Sequence, residues 1–210
     1  GVRCAIGNGV VIDPEVLLGE LARLEKEGEE IGNDKLIISN SAHVIMPFHR
    51  LIDAGREAAL GGEKIGTTLK GIGPCYEDKV GRRGIRLSEF VDLTLLRARL
   101  EVILPEKNRM LTEWFGQDPL DLEEVLAWAS PLAKAIAPRM KDTVQILHQA
   151  NARGERILFE GAQGTFLDVD HGSYPYVTSS TTLASGACAG SGVGPGSIGH
   201  VVGIAKAYTT

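Results

Sequence analysis

The sequence predicts an α/β fold built on a mainly parallel sheet, with a helical portion at about 88–153. Three observations predict it. Leucines recur at helical spacing, as in Leu93, Leu96, Leu100 and Leu104. Short aliphatic runs, Leu36–Ser39 (LIIS) and Arg156–Glu160 (RILFE), read as buried strands. The order helix, glycine turn, apolar strand, glycine loop over 139–164 is that of a sheet with crossover helices.

Taken along the chain, Asp13-Pro14-Glu15 is a helix start, with Asp as N-cap and Pro in the first turn. Val16, Leu17, Leu21 and Leu24 form the apolar stripe of that helix, and Gly28 follows its charged end. Ser41–Leu60 reads as partly helical, with Pro47 near its start. Pro105 is expected to end the leucine helix, and Pro131 to break or kink a helix over Asp121–Ala137. Arg139–Arg153 reads as a helix with Val144, Leu147, His148 and Ala152 on one face and Gly154 as a C-cap residue. A last strand is expected at His200–Tyr208. No internal repeat, low-complexity tract or clear linker interrupts this order, so the 210 residues read as a single domain.

Composition narrows the function. The net charge of −5 excludes a general nucleic-acid surface. No apolar run approaches the ~20 residues of a membrane span, and no signal peptide is visible. Three widely spaced cysteines, Cys4, Cys75 and Cys188, form neither a disulfide framework nor a zinc site and fit a reducing, cytoplasmic setting. The start at Gly1 rather than Met reads as a cut or processed end. The 26 glycines gather at 61–84 and 161–203, where aliphatic runs are interrupted. Glycine placed so lets backbone approach a ligand.

Two segments carry the chemistry. Gly66–Gly84, GTTLKGIGPCYEDKVGRRG, combines glycine turns and the hydroxyls of Thr67 and Thr68 with Lys79, Arg82 and Arg83, and Arg86 follows. Glycine N–H groups, hydroxyls and guanidinium forks suit an anion. It is not a Walker A loop, since Ile72 stands where lysine is required. A surface loop with solvated charges is the other reading of the same composition. Phe159–Ser180, FEGAQGTFLDVDHGSYPYVTSS, follows an expected strand, where ligands bind in open α/β sheets. Gln163 offers both donor and acceptor to a purine edge, and Thr178, Ser179 and Ser180 form a second hydroxyl cluster. Asp168, Asp170 and His171 invite a metal reading, but acids that hydrogen-bond loop backbone account for them more simply.

Gly194–Gly199 formally matches the dinucleotide pattern GxGxxG. That fingerprint needs a strand before it and a helix after it, whereas a small-residue stretch precedes it here and a β-branched run follows. A tight turn or a packed glycine-rich helix is the competing reading. The histidines show no metal-ligand spacing, and His49 and His148 read as packing or surface residues of helices.

GIGPCYEDKVGR (Gly71–Arg82) and FEGAQGTFLDVDHGSYPYVTSS resemble two signatures of the adenylosuccinate synthetases, and IGNGVVIDP and GIAKAY match in the same order. The resemblance covers essentially the whole chain. It implies part of a P-loop-like α/β sheet and a purine-biosynthetic, GTP-dependent ligase that joins IMP to aspartate in a homodimer, with Mg²⁺. It also implies that Thr68 and Thr178 bind the IMP phosphate, that Arg82 reaches the IMP of the partner subunit, and that Gln163 contacts the purine. Lys79 is the family's signature lysine, placed near the active site as a candidate catalytic residue. The family's GDEGKGK and GHNAGHT segments, which carry the main catalytic acid, histidine and Mg²⁺ contacts, do not occur in these 210 residues, nor do its arginine-rich aspartate loop and guanine-reading Lys-x-Asp. No metal site is therefore expected here, the domain is read as incomplete, and the chain is expected to contain part of the IMP site and little of the GTP site and not to catalyse the reaction by itself. Leu69-Lys70 stands where many members have Gly-Arg, and Ser180-Thr181-Thr182-Leu183 replaces the common Ser-Asn-x-Thr. A non-catalytic nucleotide-binding or dimerisation module of the same fold is the alternative.

Overall fold

Two short parallel sheets frame the computed structural model, which describes residues 2–62, 65–205 and 207. One runs in the order β1 (Cys4–Ile6), β3 (Leu36–Ser39), β5 (Met140–Lys141), and the other pairs β2 (Val11–Ile12) with β4 (His43–Val44). Each of these pairings is parallel, with Ala5 opposite Ile37, Ile38 opposite Met140 and Val11 opposite His43. Ile37 and Ile38 are both buried, so β3 is covered on both faces, as parallel strands usually are.

The helices begin where short polar side chains can cap them. Asp13, Asp92, Asp121 and Asp142 each accept N–H groups of the following first turn, starting α1 (Pro14–Lys26), α5 (Leu93–Arg109), α6 (Leu122–Ile136) and α7 (Thr143–Ala152). Between α1 and α5 lie α2 (Pro47–Ala59), α3 (Ile72–Val80) and the single turn α4 (Leu87–Phe90), and α8 (Ser185–Ser191) comes late in the chain. Leu96, Leu100 and Leu104 of the leucine stripe are buried, while Leu93 is exposed at its start. They join Phe48, Val44, Ile38 and Ile136 in one core, with Phe90 edge-on to Trp128 at 6.1 Å between ring centroids.

Several boundaries differ from the sequence reading. Pro105 does not end α5, and α6 runs unbroken through Pro131. Both prolines are exposed, as are Glu101 and Ala127 four residues before them, so water can take the place of the missing N–H donor. The helix expected over 139–153 starts only at Thr143, because Met140 and Lys141 pair with β3. On α7, His148 and Ala152 are exposed, and the buried positions are Thr143 and Ala150. Gly154 follows α7 at φ +72°. Residues 156–160 are not a strand. They have no regular secondary structure, with Ile157 and Phe159 half-buried and Leu158 89% exposed, and no strand pairs with them among the described residues. A strand exists through its neighbour's hydrogen bonds, whatever its composition. The same holds for 200–205, expected as strand and observed exposed and with no strand partner among the described residues, while Lys206 and Tyr208 lie outside them.

Candidate functional site

Outside glycine, left-handed backbone is rare. Among the described residues three non-glycines adopt it, Leu69 (φ 56°), Arg82 (φ 60°) and Gln163 (φ 61°). All three lie in the two segments singled out by sequence. Such conformations persist where the surrounding structure dictates them, and they cluster at binding sites.

The first segment is built on α2 and α3. Gly71, at φ +74°, precedes α3 and lies so close to α2 that a Cβ there would sit 2.8 Å from Arg50 N. Two acids of α2 hold the loop before it. Gly71 N donates to Asp53 Oδ2 at 2.9 Å, and Ile65 N and Gly66 N donate to Glu57 Oε1 and Oε2, each at 3.2 Å. An Arg56–Glu77 ion pair of 2.5 Å joins α2 to α3 beside them.

Farther along α3, Tyr76 and Lys79 reach the N-terminal segment. Tyr76 Oη donates to Gly9 O at 2.9 Å and Lys79 Nζ to Asn8 O at 2.7 Å. Partial burial lowers the Lys79 ammonium pKa and raises that of the Tyr76 phenol. The segment they hold lies directly on α8. Gly9 N donates to Gly190 O at 2.7 Å, and a Cβ on Gly9 would stand 2.4 Å from Gly190 Cα. The glycine-rich stretch before Gly194 is thus a helix packed backbone to backbone. It is α8 and not a strand that leads into the GxGxxG match, and no α-helix follows it among the described residues, so the dinucleotide reading has no structural context.

The second segment closes on Asp168. Its carboxylate, inaccessible to solvent, accepts from Asp170 N, His171 N and Thr182 N at 3.1, 3.0 and 2.7 Å. Burial opposes its charge, but these backbone donors outweigh it and hold the carboxyl below the usual range. With its oxygens so engaged, Asp168 is a loop anchor. Among the described residues no group of three His, Cys, Asp or Glu side chains is placed to hold a metal ion.

The two segments meet across a groove of ≈ 450 Å³. Thr67, Gly73, Pro74 and Tyr76 contribute from one side, and Val169, Tyr174, Thr178 and Ser179 from the other, with Asp53 and Glu57 of α2 also lining it. Gly73 keeps the walls close, since a Cβ there would lie 3.2 Å from Ser179 Oγ. The groove thus joins hydroxyls from two distant stretches to the first turn of α3, whose positive end favours anions.

Beneath this site lies a buried charge network that sequence reading did not detect. Asp78 accepts from His49 Nε2 at 3.0 Å and from Lys107 Nζ at 2.6 Å, with all three residues at most 4% exposed. His49 Nδ1 accepts from Met46 N at 2.9 Å, which leaves the proton on Nε2. Burial lowers the His49 pKa and keeps the ring neutral. Burial opposes the Asp78 charge too, but the His49 and Lys107 bonds prevail and hold that carboxyl low. The network ties α2, α3 and α5 together. The one clue in the sequence is Lys107, which interrupts the apolar stripe between Leu104 and Leu111.

The adenylosuccinate synthetase family model matches residues 1–210. The chain belongs to the adenylosuccinate synthetase family. It is 52% identical over 210 residues to an adenylosuccinate synthetase of Desulfosudis oleivorans, covering 100% of this chain and 49% of that protein. Against the Desulfatibacillum aliphaticivorans adenylosuccinate synthetase it is 51% identical over 207 residues, covering 99% of this chain and 48% of that one. The chain thus spans about half the length of the curated relatives it matches. Its fold is similar to that of a fully ligated adenylosuccinate synthetase from Plasmodium falciparum, with a TM-score of 0.81 and 29% identity over 93% of this chain and 45% of that one.

Of the residues to which adenylosuccinate synthetase resemblance assigns roles, Thr178 lines the groove. Thr68 is exposed in the loop beside it, and the neighbouring Thr67 supplies the lining hydroxyl. Arg82 and Gln163 are exposed and left-handed, away from the groove lining, and Lys79 is turned to the Asn8 carbonyl.

Proposed function

We propose that this chain is the IMP-holding portion of an adenylosuccinate synthetase, a GTP-dependent ligase of purine nucleotide and AMP biosynthesis that joins aspartate to IMP. The observation that carries this is the meeting of the two segments across one groove, with hydroxyls on both walls and the first turn of α3 between them. In this reading Thr68 and Thr178 take the IMP phosphate and Gln163 the purine. Arg82 is exposed, and its guanidinium makes no hydrogen bond or ion pair among the described residues, as suits a side chain that serves the site of a second subunit in a homodimer. Lys79 acts at the site by holding the Asn8–Gly9 turn, with any further role in catalysis resting on resemblance.

In the reaction proposed, phosphoryl transfer from GTP turns the poor leaving oxygen at C6 of IMP into phosphate, which the aspartate amine then displaces. GTP and Mg²⁺ belong to this scheme, but no step is routed through residues of this chain, which offer no ion cage among those described. The 210 residues are proposed to form part of one domain and to bind IMP without turning it over. A cytoplasmic setting is proposed with this biosynthetic role. No described helix is long and apolar enough to cross a membrane.

Titration calorimetry with IMP, GTP and NAD tests the reading. Binding of IMP, lost in Arg82→Ala and Gln163→Ala, supports it. Binding of NAD without IMP refutes it. Adenylosuccinate formed by the 210-residue chain alone would overturn the division between holding and catalysis.

A further inference from the structure

The loop that carries Thr67 and Thr68 has no regular structure, and all its described residues from Ile65 to Lys70 are exposed. Its place beside the groove is set from both ends by α2. Asp53 and Glu57 stand one helical turn apart, 5% and 6% exposed. Glu57 accepts from two successive amides, Ile65 N and Gly66 N, and Asp53 accepts from Gly71 N. Only Thr67, Thr68, Leu69 and Lys70 lie between these attachments. The path between them is made by left-handed residues, Gly66 at φ +82°, Leu69 at φ +56° and Gly71 at φ +74°. The same helix is joined to α3, on the groove wall, through Arg56–Glu77 and His49–Asp78. Hydrogen bonds from backbone to buried carboxylates are the strong kind, so they dominate what fixes an otherwise solvated loop.

We propose that Asp53 and Glu57 are positioning residues for a phosphate subsite: they clamp the two ends of loop 65–71 on α2 so that Thr67 lines the groove and Thr68 lies beside it. The proposal rests on the reading of the groove as a purine-nucleotide site. It adds that the loop's shape is imposed by two acids which do not touch the ligand's phosphate themselves.

Backbone amide exchange by NMR, calorimetry with IMP and thermal unfolding, on the unsubstituted protein, Glu57→Gln and Asp53→Asn, test it. A glutamine keeps one acceptor for two amides. Exchange at Ile65 and Gly66 is therefore expected to quicken about tenfold in Glu57→Gln, and the IMP Kd to rise about tenfold. The Thr182 amide, held by Asp168, serves as control and keeps its exchange rate. In Asp53→Asn the quickened amide is Gly71. Unchanged exchange at Ile65 and Gly66, or quickened exchange with unchanged IMP affinity, overturns the proposal. So does uniform quickening that includes Thr182 together with a lowered melting temperature, since that marks a merely structural role. If the unsubstituted protein binds no IMP, the function reading fails by itself, and exchange still judges the clamp.

Discussion

Replacing Lys107 with methionine removes the cation from a carboxylate that water cannot reach. Asp78 is 1% exposed and Lys107 4%, with 2.6 Å between Nζ and Oδ1. Methionine retains an unbranched apolar stem, so the packing of that stem is largely kept and the change falls on charge. Breaking a buried pair by removing one partner costs about 3–5 kcal/mol. The surviving His49 bond, and the Arg83 Nε 3.7 Å from Asp78 Oδ1, place the loss at the lower end. The expectation is about 3 kcal/mol, on the order of a 100-fold fall in the folding equilibrium constant at pH 7. Urea denaturation followed by far-ultraviolet circular dichroism reads it. The sign with pH follows from Asp78. Its folded pKa is lowered, so its contribution is present above the unfolded value and lost as pH falls through the folded one. Without Lys107 that depression shrinks, so the deficit of the variant should narrow below about pH 4. The double variant Asp78→Asn/Lys107→Met should regain more than half of the loss, because the unpaired charge is gone. A deficit under about 1 kcal/mol at pH 7, or one that stays constant down to pH 3, would refute the reasoning.

His43, 7% exposed, has its pKa lowered to about 4 by burial and by the nearby cations Lys79 and Arg86. Below pH 6.5 the unfolded chain therefore binds the extra proton, and stability falls by about 2 kcal/mol between pH 6.5 and 5. His49 acts with the same sign, so denaturant midpoints should slope steeply here and less so in His43→Gln; equal slopes would count against this. Gly9→Ala drives a Cβ to 2.4 Å from Gly190 Cα and should cost about 1–3 kcal/mol or more in thermal or urea unfolding. Leu69 is half exposed and left-handed, so Leu69→Gly should be more stable than Leu69→Ala by about 1 kcal/mol; the reverse order in denaturation would show that the loop's path is not strained.

Local chemistry was legible wherever it is decided within a few residues. Asp13 and Pro14 start α1, the LIIS run forms β3, and the leucine stripe of α5 faces the core, because caps and periodicity act over one or two turns. The same logic failed where a partner or an exposure decides. RILFE has strand composition but no strand beside it among the described residues, Met140–Lys141 has a neighbour and becomes strand, and Pro105 and Pro131 are tolerated because they face solvent.

The candidate site divides along that line. Sequence alone determined the segments, their hydroxyls and the family, since order and spacing of residues survive without coordinates. It also favoured Asp168 as a loop anchor, and its three backbone donors agree. Only the tertiary structure decided that Thr178 faces Thr67, and that Lys79 is turned to Asn8. It alone showed that Asp53 and Glu57 grip the loop and that His49, Asp78 and Lys107 share one buried proton and charge network. Those pairs lie from 8 positions apart, for Glu57 and Ile65, to 111, for Thr67 and Thr178. No periodicity encodes such a distance, because the energy that joins the groups appears only when folding removes them from water.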